Sequence, residues 1–136
     1  MNGQKFAIAT LAGTVTYFIG GFLIYGLALS SYMTENMMSG MMKDPPEWIH
    51  LILGQIAWGA LLALVIGRWA KAGGAAAGFR IGLQFGLLMI LGFDLTMLAT
   101  SNVMNNFTVM AVDVVAGTVL TAVAGAAVGA TLGRSS

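Results

Sequence analysis

Four long apolar stretches, parted by three polar breaks, constrain this chain more than any other feature. They lie at about 6–30, 48–70, 77–101 and 107–132. At about 1.5 Å per residue, each is long enough as a helix to cross ~30 Å of hydrocarbon. In lipid every backbone donor and acceptor must be satisfied internally, and a helix does this within one segment. The expectation is an all-α, four-helix transmembrane bundle with antiparallel up-down spans, forming a single domain over residues 1–136. The first stretch follows Lys5 and ends near Ala28-Leu29-Ser30, which imitates a signal peptide. Its apolar run is longer than a signal core, and the numbering starts at Met1, so an uncleaved first helix is expected.

The breaks carry helix signals. Asp44-Pro45-Pro46-Glu47 predicts a helix start, with Asp44 as N-cap, Pro45 at the first helical position and Glu47 closing a capping box. Gly73-Gly74 ends that helix behind Lys71. Asn105 or Asn106 is placed to cap the fourth. Lysine and arginine set the orientation. Lys5, Arg68, Lys71, Arg80 and Arg134 gather on one side, and Lys43 stands alone on the other. Both termini and the second connection are therefore expected in the cytoplasm, with the first and third connections outside.

Composition removes several functions. The chain has no cysteine, so disulfides, thiolate metal sites and cysteine nucleophiles are excluded. A net charge of +1 without a basic run gives no attraction to nucleic acid. There is no phosphate-binding glycine loop, no HExxH and no GxSxG, and His50 is the single histidine. No enzyme activity and no cofactor are expected. The implied partner is the lipid bilayer.

Only 8 % of residues are charged, yet Asp94 and Asp113 lie inside the third and fourth spans. A carboxylate in hydrocarbon costs roughly 3 kcal/mol or more, so each is a candidate functional residue. Both fall roughly 10 Å below the outer boundary, on helices joined by a short connection, so they can meet. Span three runs outward and span four inward, so the helix dipoles favour charge at Asp113 over Asp94. The expected resting state is one shared proton, held on Asp94. Gln55 and His50 on span two can join this layer, although about 140° separates them on an ideal helix. Tyr25, Thr96, Thr100, Ser101, Asn102 and Asn106 lie near the same ends. The layer can bind a proton, a cation or a small solute, or a protonated aspartate can simply fasten helices.

Two other patterns recur. Gly78, Gly82 and Gly86 form a GxxxGxxxG ridge, and Gly117, Gly125 and Gly129 continue the theme on span four. Small residues let helix backbones approach in lipid, either within one chain or between copies in a homo-oligomer. In the first outer connection, Met33, Met37, Met38, Met41 and Met42 recur at helical spacing. They predict an amphipathic interfacial helix, or a soft thioether site for Cu(I) or Ag(I).

The segments Gly92-Phe93-Asp94-Leu95-Thr96-Met97-Leu98-Ala99-Thr100 and Val112-Asp113-Val114-Val115-Ala116-Gly117-Thr118-Val119 resemble a family of small four-span bacterial membrane proteins, known as a domain of unknown function. The resemblance is best over about 77–132 and extends to Pro45-Pro46-Glu47-Trp48 and Gly54-Gln55-Ile56-Ala57-Trp58-Gly59. It departs at Met97 and Ala116, where the family carries Asn and Trp. It implies a bacterial inner membrane and the same two aspartates as signature positions, and it supplies no activity. The leading expectation is a binding or transport-type membrane protein acting through Asp94 and Asp113. The alternatives are an accessory subunit whose aspartates fasten helices, and copper or silver handling by the methionines.

Overall fold

The computed structural model describes residues 1–40, 43 and 45–133. Five α-helices run in order: α1 (Gly3–Gly21), α2 (Ser30–Asn36), α3 (Trp48–Ala63), α4 (Ala75–Thr100) and α5 (Phe107–Gly133). Two π-helical segments, Phe22–Ala28 and Leu64–Trp69, extend α1 and α3. The four long apolar units, Gly3–Ala28, Trp48–Trp69, Ala75–Thr100 and Phe107–Gly133, are each long enough to cross a membrane. The chain is a multi-pass, all-α membrane protein.

Local chemistry explains most ends. The Asn2 side chain caps α1 by accepting from the Lys5 amide at 2.8 Å, and Asn106 caps α5 through the Val109 amide at 3.0 Å. α3 corrects an expectation. It begins at Trp48, with Glu47 as its N-cap and no side-chain cap bond. Pro46 pushes Pro45 out of the helical region, so the helix cannot start at Pro45. Glu47 closes no capping box and instead pairs with Lys43 at 2.9 Å. Asp44, the expected cap, lies outside the described residues, as does Arg134. At the other end Lys71 and Gly74 both take positive φ, 52° and 96°, and reverse the chain into α4. Glycine adopts that conformation without cost, whereas lysine is strained.

α5 is the central helix. More than half of its apolar window, 56 %, is buried, against 17–22 % for the other spans. α4 packs along α5 on one side and α1 packs on another, and α3 packs mainly on α1. The core between α1, α3 and α5 holds Ala9, Tyr17, Leu62, Ala63, Ile66, Leu120, Ala124 and Val128. Lipid tails are as apolar as these side chains, so close packing, rather than escape from water, holds the helices together.

The α4–α5 seam is a ladder of close approaches at four-residue spacing. A Cβ at Gly78 would strike the backbone of Gly125 and Gly129, and one at Gly82 would strike Thr121 and Gly125. One at Gly86 would meet Thr121, and one at Gly117 would meet Ile90. The same antiparallel register continues to Asp94 opposite Asp113. At its other end the Gly74 amide donates to the Gly129 carbonyl at 2.8 Å, a backbone bond between helices. The glycine ridges therefore pack within the chain. α1 and α3 make a similar contact, where a Cβ at Gly59 would strike Thr10 and Thr14.

Candidate functional site

The site occupies the last rung of this ladder. Asp94 lies six residues before the end of α4 and Asp113 six residues after the start of α5, each roughly 9 Å from its helix end. Equal depth and the shared register bring the two carboxyl groups within hydrogen-bonding reach. Asp94 is 2 % exposed, and Asp113 is half-buried. One Asp94 oxygen, Oδ2, is buried without a partner.

α1 supplies the third member. The Tyr25 hydroxyl donates to Asp113 Oδ1 at 2.9 Å and leans toward the Asp113 carbonyl oxygen at 3.3 Å. One turn further along α5, Gly117 lies beside it, and a Cβ there would be in ordinary contact with the Tyr25 oxygen at 3.5 Å. Eight residues away, the Tyr17 hydroxyl meets Thr121 Oγ1 at 3.1 Å. In an ideal α-helix Tyr17 and Tyr25 would be about 80° out of line. The π turn at Phe22–Ala28 closes i to i+5 bonds, as in Leu29 N–H to the Ile24 carbonyl at 2.7 Å. That wider turn takes up most of the offset and aims both tyrosines at α5. Replacing the tyrosines one at a time by phenylalanine tests this alignment. Tyr25→Phe is expected to cost about 1–2 kcal/mol and Tyr17→Phe about half that, since only the first bond ends on a carboxyl group. Equal losses in detergent unfolding would contradict the difference.

The electrostatics follow from what surrounds the pair. Among the described residues neither aspartate has a cationic partner, and the two ion pairs both lie at Glu47. Two facing carboxylates in a low-dielectric layer would repel one another. Among the described residues no third carboxylate or histidine joins them to make a metal cluster.

Other candidate residues fall elsewhere. His50 is exposed in the first turn of α3, where its Nδ1 lies 3.4 Å from Glu47. Gln55 is half-buried on α3, which packs on α1 away from α4. Among the described residues neither side chain hydrogen-bonds to an aspartate. α3 starts at the correct depth but packs mainly on α1. Thr96, Thr100 and Ser101 turn their hydroxyls back to carbonyls four residues earlier in α4.

The methionines also depart from expectation. α2 holds Met33 but ends at Asn36, whose side chain bonds back to the Tyr32 carbonyl at 2.9 Å. Met37 is extended and bridges to Met104 in the α4–α5 connection. The flanking bonds are Met38 N–H to the Val103 carbonyl at 2.8 Å and Asn105 N–H to the Asn36 carbonyl at 3.0 Å. Partners in that connection satisfy the backbone, so helix does not continue and Met33, Met37 and Met38 do not share one helical face. Met41 and Met42 lie outside the described residues. Met38 is exposed, while Met33 and Met37 pack with Met104, Met110, Val109 and Val114. These side chains form one apolar cluster with Ile90 and Leu91.

Tyr17 is the site neighbour that sequence reasoning missed, because its alignment depends on the π turn. Among protein-family models, curated proteins and solved structures, none matches this chain.

Proposed function

We propose that this protein is a small proton-binding membrane protein whose working group is the Asp94–Asp113 pair. The observation that carries the reading is the pairing itself: two carboxyl groups face one another within the spans, with no cationic partner among the described residues, and one is almost fully buried. Asp113 accepts from Tyr25 and from protonated Asp94, so Asp113 carries the charge and Asp94 the proton. The ligand set supports a proton over a metal ion. A dehydrated cation such as calcium takes about 6–8 oxygens, and this layer offers two carboxyl groups and a tyrosine that donates. Polar groups continue down the same seam. Thr118 Oγ1 is buried without a partner, and Tyr17 and Thr121 follow. In this reading the α2 end faces outward, both termini are cytoplasmic, and the membrane is a bacterial inner membrane, as the family resemblance implies.

The test is proton flux in liposomes holding a pH-sensitive dye, with the membrane potential clamped. Flux that falls at least about tenfold in both Asp94→Asn and Asp113→Asn supports proton movement through the pair, the size of effect expected when a group that must carry the proton is lost. Parent rates in both variants, or no flux above empty liposomes, contradict movement.

A second reading has its own observation. Methionines and valines cluster at the neighbouring ends of α4 and α5, and a groove of about 390 Å³ there is lined by the apolar Leu29, Ala111, Val112, Val115 and Ala116 with Thr108. Such apolar surroundings suit helix fastening in an accessory subunit. The sulfur atoms sit among valines and leucines, which supports their use as apolar filler.

A further inference from the structure

α4 carries a second row that nothing among the described residues covers. Arg80, Gln84, Leu88, Gly92 and Thr96 recur every four residues, and all are exposed. They are offset by two residues from the glycine seam, which turns them about 200° around the helix and away from α5. Leu88 is 70 % exposed, and a Cβ at Gly92 would meet nothing within 4 Å.

Gln84 is the member that needs explaining. It lies nine residues into α4, roughly 14 Å from that end and inside the hydrocarbon of a ~30 Å core. Its amide carries donors and an acceptor, and among the described residues it makes no hydrogen bond. Thr96 bonds back to the Gly92 carbonyl, and Arg80 is near enough to the helix end to reach the headgroups. Gln84 can do neither, and an amide left unpaired in hydrocarbon is costly.

We propose that this row is a homodimer interface in which Gln84 bonds to its counterpart on a second copy. A two-fold axis along the membrane normal keeps every residue at the depth of its own copy, so amide meets amide. The amide is self-complementary, donating with its NH2 and accepting with its carbonyl. Rows at four-residue spacing cross with a right-handed inclination. The crossing centres on Leu88, with Gln84 and Gly92 one turn to either side, and Arg80 splays outward. Gly78, Gly82 and Gly86 cannot serve this purpose, because α5 occupies them.

The chain has no cysteine, so a single introduced thiol reports on its surroundings cleanly. Gly92→Cys and, as a control, Val119→Cys on the lipid-facing side of α5 would be oxidised in native membranes with a membrane-permeant oxidant. The expected result is a covalent dimer from Gly92→Cys at several times the yield of Val119→Cys. In nanodisc or micelle dilution, Gln84→Leu is expected to raise the dimer dissociation constant about 3- to 20-fold, the range of interhelical polar bonds in lipid. Equal cross-linking at the two positions, a parent chain that is monomeric, or a Gln84→Leu chain that dimerises as tightly as the parent would overturn the proposal.

Discussion

Gly78→Ala and Gly125→Ala are each expected to cost the bundle about 3 kcal/mol or more, the upper range for overpacking, while Gly54→Ala stabilises it slightly. The same methyl group is added in all three. At Gly78 it would strike the Gly125 backbone, and at Gly125 the backbone of Gly78 and Gly82, whereas at Gly54 it meets nothing within 4 Å. A flexible side chain can move aside, but two helix backbones in contact can only separate. Separation would also break the Gly74 to Gly129 backbone bond and draw Asp94 away from Asp113. In open space the methyl group acts through helix propensity, worth up to about 1 kcal/mol over glycine. Reversible unfolding in mixed micelles, followed by helix content, measures all three. A Gly78→Ala chain as stable as Gly54→Ala would show that α4 and α5 do not meet along this ladder.

Asp113→Leu is expected to destabilise the protein by about 2–3 kcal/mol, because it strands both the Tyr25 hydroxyl and the Asp94 carboxyl in an apolar layer. Asp94→Leu should cost less, since Asp113 keeps Tyr25 as a partner. The double variant should cost less than the sum of the singles by about 1 kcal/mol or more, because the second replacement removes a group already stranded. Strict additivity in the same unfolding assay would mean that the carboxyl groups do not interact.

Much of this arrangement is readable from residues alone, for identifiable reasons. The spans are visible because about twenty apolar residues in a row have few other uses. The depth of Asp94 and Asp113 follows from counting to the nearest polar break, and their meeting follows from the short connection between antiparallel helices. The register of α4 on α5 is implied by glycines at matching four-residue intervals. What escaped depends on backbone departures that side-chain periodicity does not encode. The π turn at Phe22–Ala28 rotates Tyr25 into line with Tyr17, and a strict 3.6-residue count separates them. Met33, Met37 and Met38 have helical spacing, yet the chain leaves the helix after Asn36, because the α4–α5 connection offers better backbone partners. Depth alone groups Gln55 and His50 with the aspartates, and depth does not say which neighbour α3 packs against.

The most direct test of the central claim is infrared spectroscopy of the carboxyl C=O stretch in nanodiscs across pH, with Asp94→Asn and Asp113→Asn to identify the bands. Sharing of one proton predicts a protonated-carboxyl band at neutral pH that disappears in Asp94→Asn and shifts in Asp113→Asn, since the two groups bond to each other. A parent protein with no such band at neutral pH, or a band untouched by either substitution, would contradict the proton-holding pair.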